Sequence, residues 1–200
     1  MHNIKYQPED VKCQYCTEHS GTRGCKAPIC PWMAERIEAG VVGYAEAVRG
    51  TFPRDARLNV QLRKVIQHFP GSLWLNEAHH QRMENLKARQ GYRQHRDTPA
   101  YFAAMYLLTA NQDLFTRTAN CFCRHGIEFG YAILRDIPPH GYTLFSAARD
   151  IYMKTEYITL GDLASREIVD TKALILIVNA TLIARYGCAV LKISDREGKS

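Results

Sequence analysis

The stretch TKALILIVNATLIARYG, residues 171–187, is apolar on nearly every face, and a helix of that kind cannot lie on a protein surface. No stretch of the chain reaches the roughly 18 consecutive apolar residues that a membrane span needs. The segment is therefore expected at the centre of a helical domain, capped by Asp170 and stopped by Gly187. Everything around it has to supply the walls. The 46% of residues that are hydrophobic, spread over 200 positions, are enough for a sizeable core of one or two globular units.

The remaining periodicities are mostly helical as well. PWMAERIEAG reads as a short helix ending before Gly40, and VVGYAEAVRG continues as a further helical turn. Pro53 disfavours helix at Phe52. ARLNVQLRKVIQHF then sets Leu58, Leu62, Val65, Ile66 and Phe69 at helical spacing, with Arg57, Arg63 and Lys64 on other faces. Asn76 caps a helix running to Gly91, which carries His79, Met83 and Leu86 on one side. Thr98-Pro99 opens AYFAAMYLLTA, Asn111 caps QDLFTRTANCFCRH, and PPHGYTLFSAARDIYM resumes helical spacing. Thr159 and Asp162 form a capping pattern before LGDLASREIV. The segment 127–137 reads equally as a strand or a buried helix, and CAVLKI as a closing strand. The expected fold class is mainly α: a small zinc-stabilised N-terminal module (1–48), a basic helical connector (49–96) and a C-terminal helical domain (97–200) with one or two short strands.

Charge is distributed unevenly. The net charge is +6, yet residues 1–40 sum to zero and residues 97–200 hold eleven charges of each sign. Residues 49–96 carry ten basic side chains, Arg49, Arg54, Arg57, Arg63, Lys64, Arg82, Lys87, Arg89, Arg93 and Arg96, against Asp55, Glu77 and Glu84. Such a zone attracts phosphates or an acidic protein face. The competing reading is a solvated helix surface that happens to be rich in arginine. Trp32, Tyr44 and Tyr92 are expected as exposed aromatics suited to an interface, and Trp74 and Tyr92 as rings on which bases stack.

Four of the seven cysteines, Cys13, Cys16, Cys25 and Cys30, fall within eighteen positions. Cys13-x2-Cys16 has the spacing of the first half of a zinc site, and Cys25 and Cys30 supply a second pair for a tetrahedral four-thiolate centre. Gly21 and Gly24 let the chain turn back between the halves. Cys30 precedes Pro31 at the start of a helix, where the helix dipole favours a thiolate. Four protein ligands leave no open position, so the expected Zn2+ is structural and holds together a segment with little core of its own. An iron–sulfur cluster is the chemical alternative. Seven is an odd number, which fits reduced thiols better than a complete disulfide framework, and the start of the chain lacks a signal-peptide order. A cytoplasmic location is expected. Cys121 and His125 would share a helix face, although no aspartate or asparagine is placed to orient the histidine.

AMYLLTANQDLFTR, GYTLFSAARDIYMK and ALILIVNATLIARYG resemble a domain of unknown function carried by prophages and mobile elements of Gram-positive bacteria, over roughly the last 120 residues. The cysteine-rich head followed by PICPWMAERIEAG resembles small proteins of the same setting. This resemblance implies a phage or mobile-element accessory protein and brings no catalytic residues with it. No phosphate-cradling loop, HExxH, GxSxG or dinucleotide fingerprint occurs. The expectation is a noncatalytic protein that binds and inhibits a host nucleic-acid-processing or defence complex, for example a CRISPR effector. The alternative is a zinc-containing protein that binds DNA or RNA directly through residues 49–96.

Overall fold

The computed structural model describes residues 19–20, 24–25, 31–52 and 55–193. The fold is mainly α. Nine helices run through the described residues: α1 (Pro31–Glu38), α2 (Tyr44–Thr51), α3 (Ala56–Gln67), α4 (Glu77–Gln90), α5 (Pro99–Leu108), α6 (Gln112–Thr118), α7 (Pro139–Met153), α8 (Leu160–Ala164) and α9 (Thr171–Tyr186). Two antiparallel pairs accompany them. β1 (His19–Ser20) pairs with β2 (Gly24–Cys25), and β3 (Phe122–Cys123) pairs with β4 (Gly126–Ile127).

Local chemistry explains most helix starts. Asp55, Asn76, Thr98, Asn111 and Asp170 each accept a hydrogen bond from a backbone N–H of the first turn they precede. Thr159 and Asp162 complete a reciprocal capping box at α8. Pro99 and Pro139 occupy first-turn positions, where the missing N–H costs nothing. Gly187 has φ 79°, outside helical space, and stops α9.

α9 is the central element. Ten of its side chains are buried, including Leu174, Leu176, Ile177, Val178, Leu182 and Ile183. It packs against α5 and α7 on one side and against α1, α2 and α3 on the other. The buried apolar side chains from Met33 to Ile193 form one continuous cluster. Tyr101 through Leu108 of α5 are fully buried except Phe102, so α5 is a second interior helix.

Four polar side chains inside this core, Tyr44, His79, Tyr106 and Asn179, are joined in one network. The Tyr44 hydroxyl donates to Asn179 Oδ1 at 2.7 Å, and Asn179 Nδ2 donates to the Leu73 carbonyl at 3.1 Å and to the Tyr106 hydroxyl at 3.2 Å. Tyr106 in turn donates to the Leu73 carbonyl. His79 is fully buried beside it. Its Nδ1 accepts from the Leu75 N–H, and its Nε2 lies 2.9 Å from the Tyr106 carbonyl, so the neutral ring carries its proton on Nε2. Burial lowers the His79 pKa to about 4, with the bond to the Tyr106 carbonyl opposing the shift. Burial likewise raises the hydroxyl pKa values of Tyr44 and Tyr106.

Several expectations are corrected. Tyr44 is buried, not exposed, because it stacks on Phe69 at 3.8 Å between ring centroids and spends its hydroxyl on Asn179. α6 ends at Thr118, whose hydroxyl bonds back to the Leu114 carbonyl, and a 3-10 turn at Ala119–Cys121 leads into β3. Cys121 and His125 therefore share no helix face. Residues 127–137 form neither a long strand nor a helix. After Gly126–Ile127 comes a 3-10 turn at Phe129–Tyr131, and Tyr131 and Ile133 project into solvent. Arg117 holds the rest of that segment, donating to the Arg135 carbonyl at 2.6 Å. The expected closing strand is a 3-10 helix at Cys188–Lys192; no described strand edge lies there for it to pair with. Among the described residues, no helix is long and apolar enough to cross a membrane.

Candidate binding surface

The fold divides the nine described cations of residues 49–96 into those left in solvent and those engaged by neighbouring groups. α3 begins at Asp55, whose carboxylate accepts from the Leu58 N–H at 2.8 Å, and this phase turns Leu58, Leu62 and Val65 into the core. Arg57 and Arg63 consequently face solvent, with Lys64 half-buried between them and Val60 exposed. α2 lies against α3 and presents Arg49 on its own outer side. Among the described residues, the side chains of Arg49, Arg57, Arg63 and Lys64 have neither an ion pair nor a hydrogen bond.

In α4 and the following loop, Arg82, Lys87 and Arg96 serve the fold, while Arg89 and Arg93 are exposed. Arg82 donates through Nε to the Thr109 carbonyl and through Nη2 to the Ala110 carbonyl, both at 2.8 Å. It thereby satisfies carbonyls that the end of α5 leaves without partners. Partial burial lowers its pKa. Lys87 pairs with Glu84 at 2.8 Å and lies over the Phe102 ring. Arg89 is exposed and its guanidinium sits 5.9 Å from the Phe115 ring centre. Arg96 is only 5% exposed. It bonds Asp97 at 2.6 Å and the Gly91 carbonyl at 2.6 Å, and stacks over Tyr101. Arg93 is exposed, and its backbone N–H donates to Asp97. Arg54 lies outside the described residues.

The aromatic side chains divide in the same way. Trp74 is half-buried and packs on His80, with ring centres 4.5 Å apart, and against His79 and Tyr106. Its ring is therefore taken up by the fold. Tyr92 and Trp32 are exposed, 81% and 44% respectively. His80 faces Glu77 at 3.8 Å, while Glu84 is held by Lys87, so His80 and Glu84 do not act as a pair.

Two adjoining cavities mark the seam between α2 and α3. One, of about 300 Å³, is lined by Val48, Arg49, Phe52, Leu62, Arg63 and Ile66, among others. The second, of about 320 Å³, continues from Arg49 and Ile66 towards Tyr44, Phe69, Lys192 and Ile193. Among the described residues, the only carboxylate lining it is Glu46, which Arg36 holds at 2.9 Å. Sequence reasoning missed Phe52, Ile66 and Lys192 as parts of one surface. Lys192 in particular carries no signal, since it reaches the seam only through the turn that follows α9.

No protein-family profile, no curated protein and no solved structure matches this chain.

Cys13, Cys16 and Cys30 lie outside the described residues, and of Cys25 only the backbone is described, in β2. β1 and β2 pair antiparallel, with His19 opposite Cys25 and Ser20 opposite Gly24. Among the described residues, no group of three or more histidine, cysteine or acidic side chains is placed to hold a metal.

Proposed function

We propose that this chain is a noncatalytic binding protein of a phage or mobile element that docks on a host nucleic-acid-processing or defence complex, for example a CRISPR effector, and inhibits it. One observation carries the proposal. Arg49, Arg57, Arg63 and Lys64 stand on adjoining helices without a side-chain partner among the described residues, while Arg82, Lys87 and Arg96 of the same basic zone are consumed by the fold. Unpaired guanidinium groups on a rigid helical face are common anchors of protein interfaces and of phosphate recognition. The described groups whose pKa is strongly displaced, Tyr44, His79, Tyr101, Tyr106 and Cys121, are all interior and owe the shift first to burial, which favours structural over catalytic roles for them.

A structural Zn2+ on Cys13, Cys16, Cys25 and Cys30 belongs to the same proposal. Its role is to fold the head, whose strand β2 contacts α2. Replacing Cys13 and Cys16 with serine should remove about one equivalent of zinc as measured by elemental analysis. Unchanged metal content would refute the site.

The second reading, direct binding of DNA or RNA by residues 49–96, is favoured by the same unpaired cations and predicts steep salt dependence. One experiment separates the two. Tagged protein is captured from a Gram-positive host lysate with and without nuclease, beside the Arg49→Glu/Arg63→Glu variant. A protein partner that survives nuclease and is lost with the variant supports docking on the complex. Nucleic acid alone, lost on nuclease treatment, supports the second reading. Recovery of neither from several hosts sinks both.

A further inference from the structure

We infer that the α2–α3 seam is a docking groove for an acidic segment of a partner protein that carries apolar anchor residues, and that it is not a track for nucleic acid. This deepens the docking reading given above and rests on it for its biological setting, though its test does not. The argument begins with the walls. Arg49 and Arg63 line one cavity; Arg49 and Lys192 line the next, and Ile66 is common to both. None of these three cations has an ion pair among the described residues, and the one lining carboxylate, Glu46, is already neutralised by Arg36. Among the described residues the rim is thus positive with no free counter-charge, which favours an anionic occupant.

The floor then decides the class of anion. It is built from Val48, Leu62 and Ile66, with Asn59 as its one uncharged polar side chain and Phe52 half-buried at one end. Recognition of single-stranded nucleic acid needs open aromatic faces on which bases stack. Of the aromatic residues in this seam, Tyr44 and Phe69 lie face to face at an interplanar angle of 8°, so each ring uses a face on the other, and Phe52 is half-buried. Trp74, the other nearby candidate, is packed on histidines. An aliphatic floor instead receives leucine, isoleucine, methionine or phenylalanine side chains, and loses water in doing so. Two adjoining cavities of about 300 Å³ and 320 Å³ give room for two such anchors flanked by carboxylates on the Arg49, Arg63 and Lys192 side. Val60, 47% exposed on α3 between Arg57 and Arg63, extends the apolar character outward.

The test uses the full chain and a displayed library of random 12-residue peptides, with the Arg49→Glu/Arg63→Glu variant as the subtraction. Both proteins are first matched by far-UV circular dichroism and melting temperature. The expected winners carry Asp or Glu beside two apolar anchors. A synthetic winner should lose at least tenfold in affinity against the double variant, and a similar amount when its anchors become serine. Lys192→Glu provides a second, single-site variant should the double one fail to match. No enrichment, or winners without carboxylates, overturns the inference. It is also overturned if an oligo-dT 20-mer displaces the winner with equal affinity, which would assign the groove to nucleic acid. Host-lysate capture can fail while this selection succeeds, and the reverse, so the groove and the proposed function stand or fall separately.

Discussion

At the scale of single residues, two positions expose physics that packing alone hides. Lys154 ends α7 in the left-handed region, φ 57° and ψ 43°, where a Cβ is unfavourable and glycine is at ease. Its side chain is exposed. Lys154→Gly should therefore raise stability by about 1 kcal/mol, read as a higher midpoint in urea. His79 makes the opposite kind of statement. In the folded chain its pKa is near 4, whereas the unfolded residue titrates near 6.5. Below pH 6.5 the unfolded chain takes up a proton that the native ring refuses, so stability falls from there down to about pH 4 and is fully present above 6.5. The lost contribution is on the order of 3 kcal/mol. In His79→Gln the difference in stability between pH 7 and pH 4.5 should shrink towards that of the carboxylates alone. An unchanged slope would mean that another group carries the effect. Sequence reading placed His79 on the inner face of its helix with Met83 and Leu86, but no local pattern could show that Leu75 and Tyr106 would fix its tautomer. That arrangement depends on α5, 27 residues further on.

At the scale of elements, the helices were legible wherever a cap and a period agreed. Asn76, Thr98, Asn111, Thr159 and Asp170 all do what their chemistry suggests. Legibility failed where side-chain pattern and backbone partnership parted company. In the segment 127–137 the apolar residues alternate as in a strand, yet the described chain there has no neighbouring edge to pair with beyond Ile127, and Tyr131 and Ile133 remain in water. Tyr44 was read from its residue type as an interface aromatic, but Asn179, 135 positions away, draws its hydroxyl inward. The bond between α2 and α9 is testable. Asn179→Leu leaves the Tyr44 hydroxyl without its acceptor and the Leu73 carbonyl with one donor fewer, in a site closed to water. The expected cost is about 2–4 kcal/mol by chemical denaturation. Tyr44→Phe added to that variant should recover part of the loss, because it removes the stranded hydroxyl. Strict additivity of the two changes would argue that the groups are not coupled.

At the scale of the whole molecule, the division of cations predicts that stability and binding separate cleanly. Arg82→Ala strips two hydrogen bonds from the end of α5 and should cost about 1–3 kcal/mol. Arg96→Ala strands a nearly buried Asp97 carboxylate and should cost about 3–5 kcal/mol. Neither should weaken capture of a partner, measured at a temperature where both variants remain folded. Arg49→Glu/Arg63→Glu should do the reverse, with stability within about 0.5 kcal/mol of the parent chain and capture lost. The basic zone was visible in composition; its two halves were not, since the carbonyls of Thr109 and Ala110 that claim Arg82 lie beyond the zone altogether. The placement of α9 has one more consequence, and it concerns synthesis. α1, α2, α3 and α5 are made before the helix that covers their inner sides. At about 5–20 residues per second, a ribosome needs roughly 7–30 s to travel from α1 to α9. Throughout that interval the growing chain holds uncovered apolar faces, so its yield in a cell should depend on holding chaperones, and a stop codon anywhere ahead of residue 171 should leave an insoluble product.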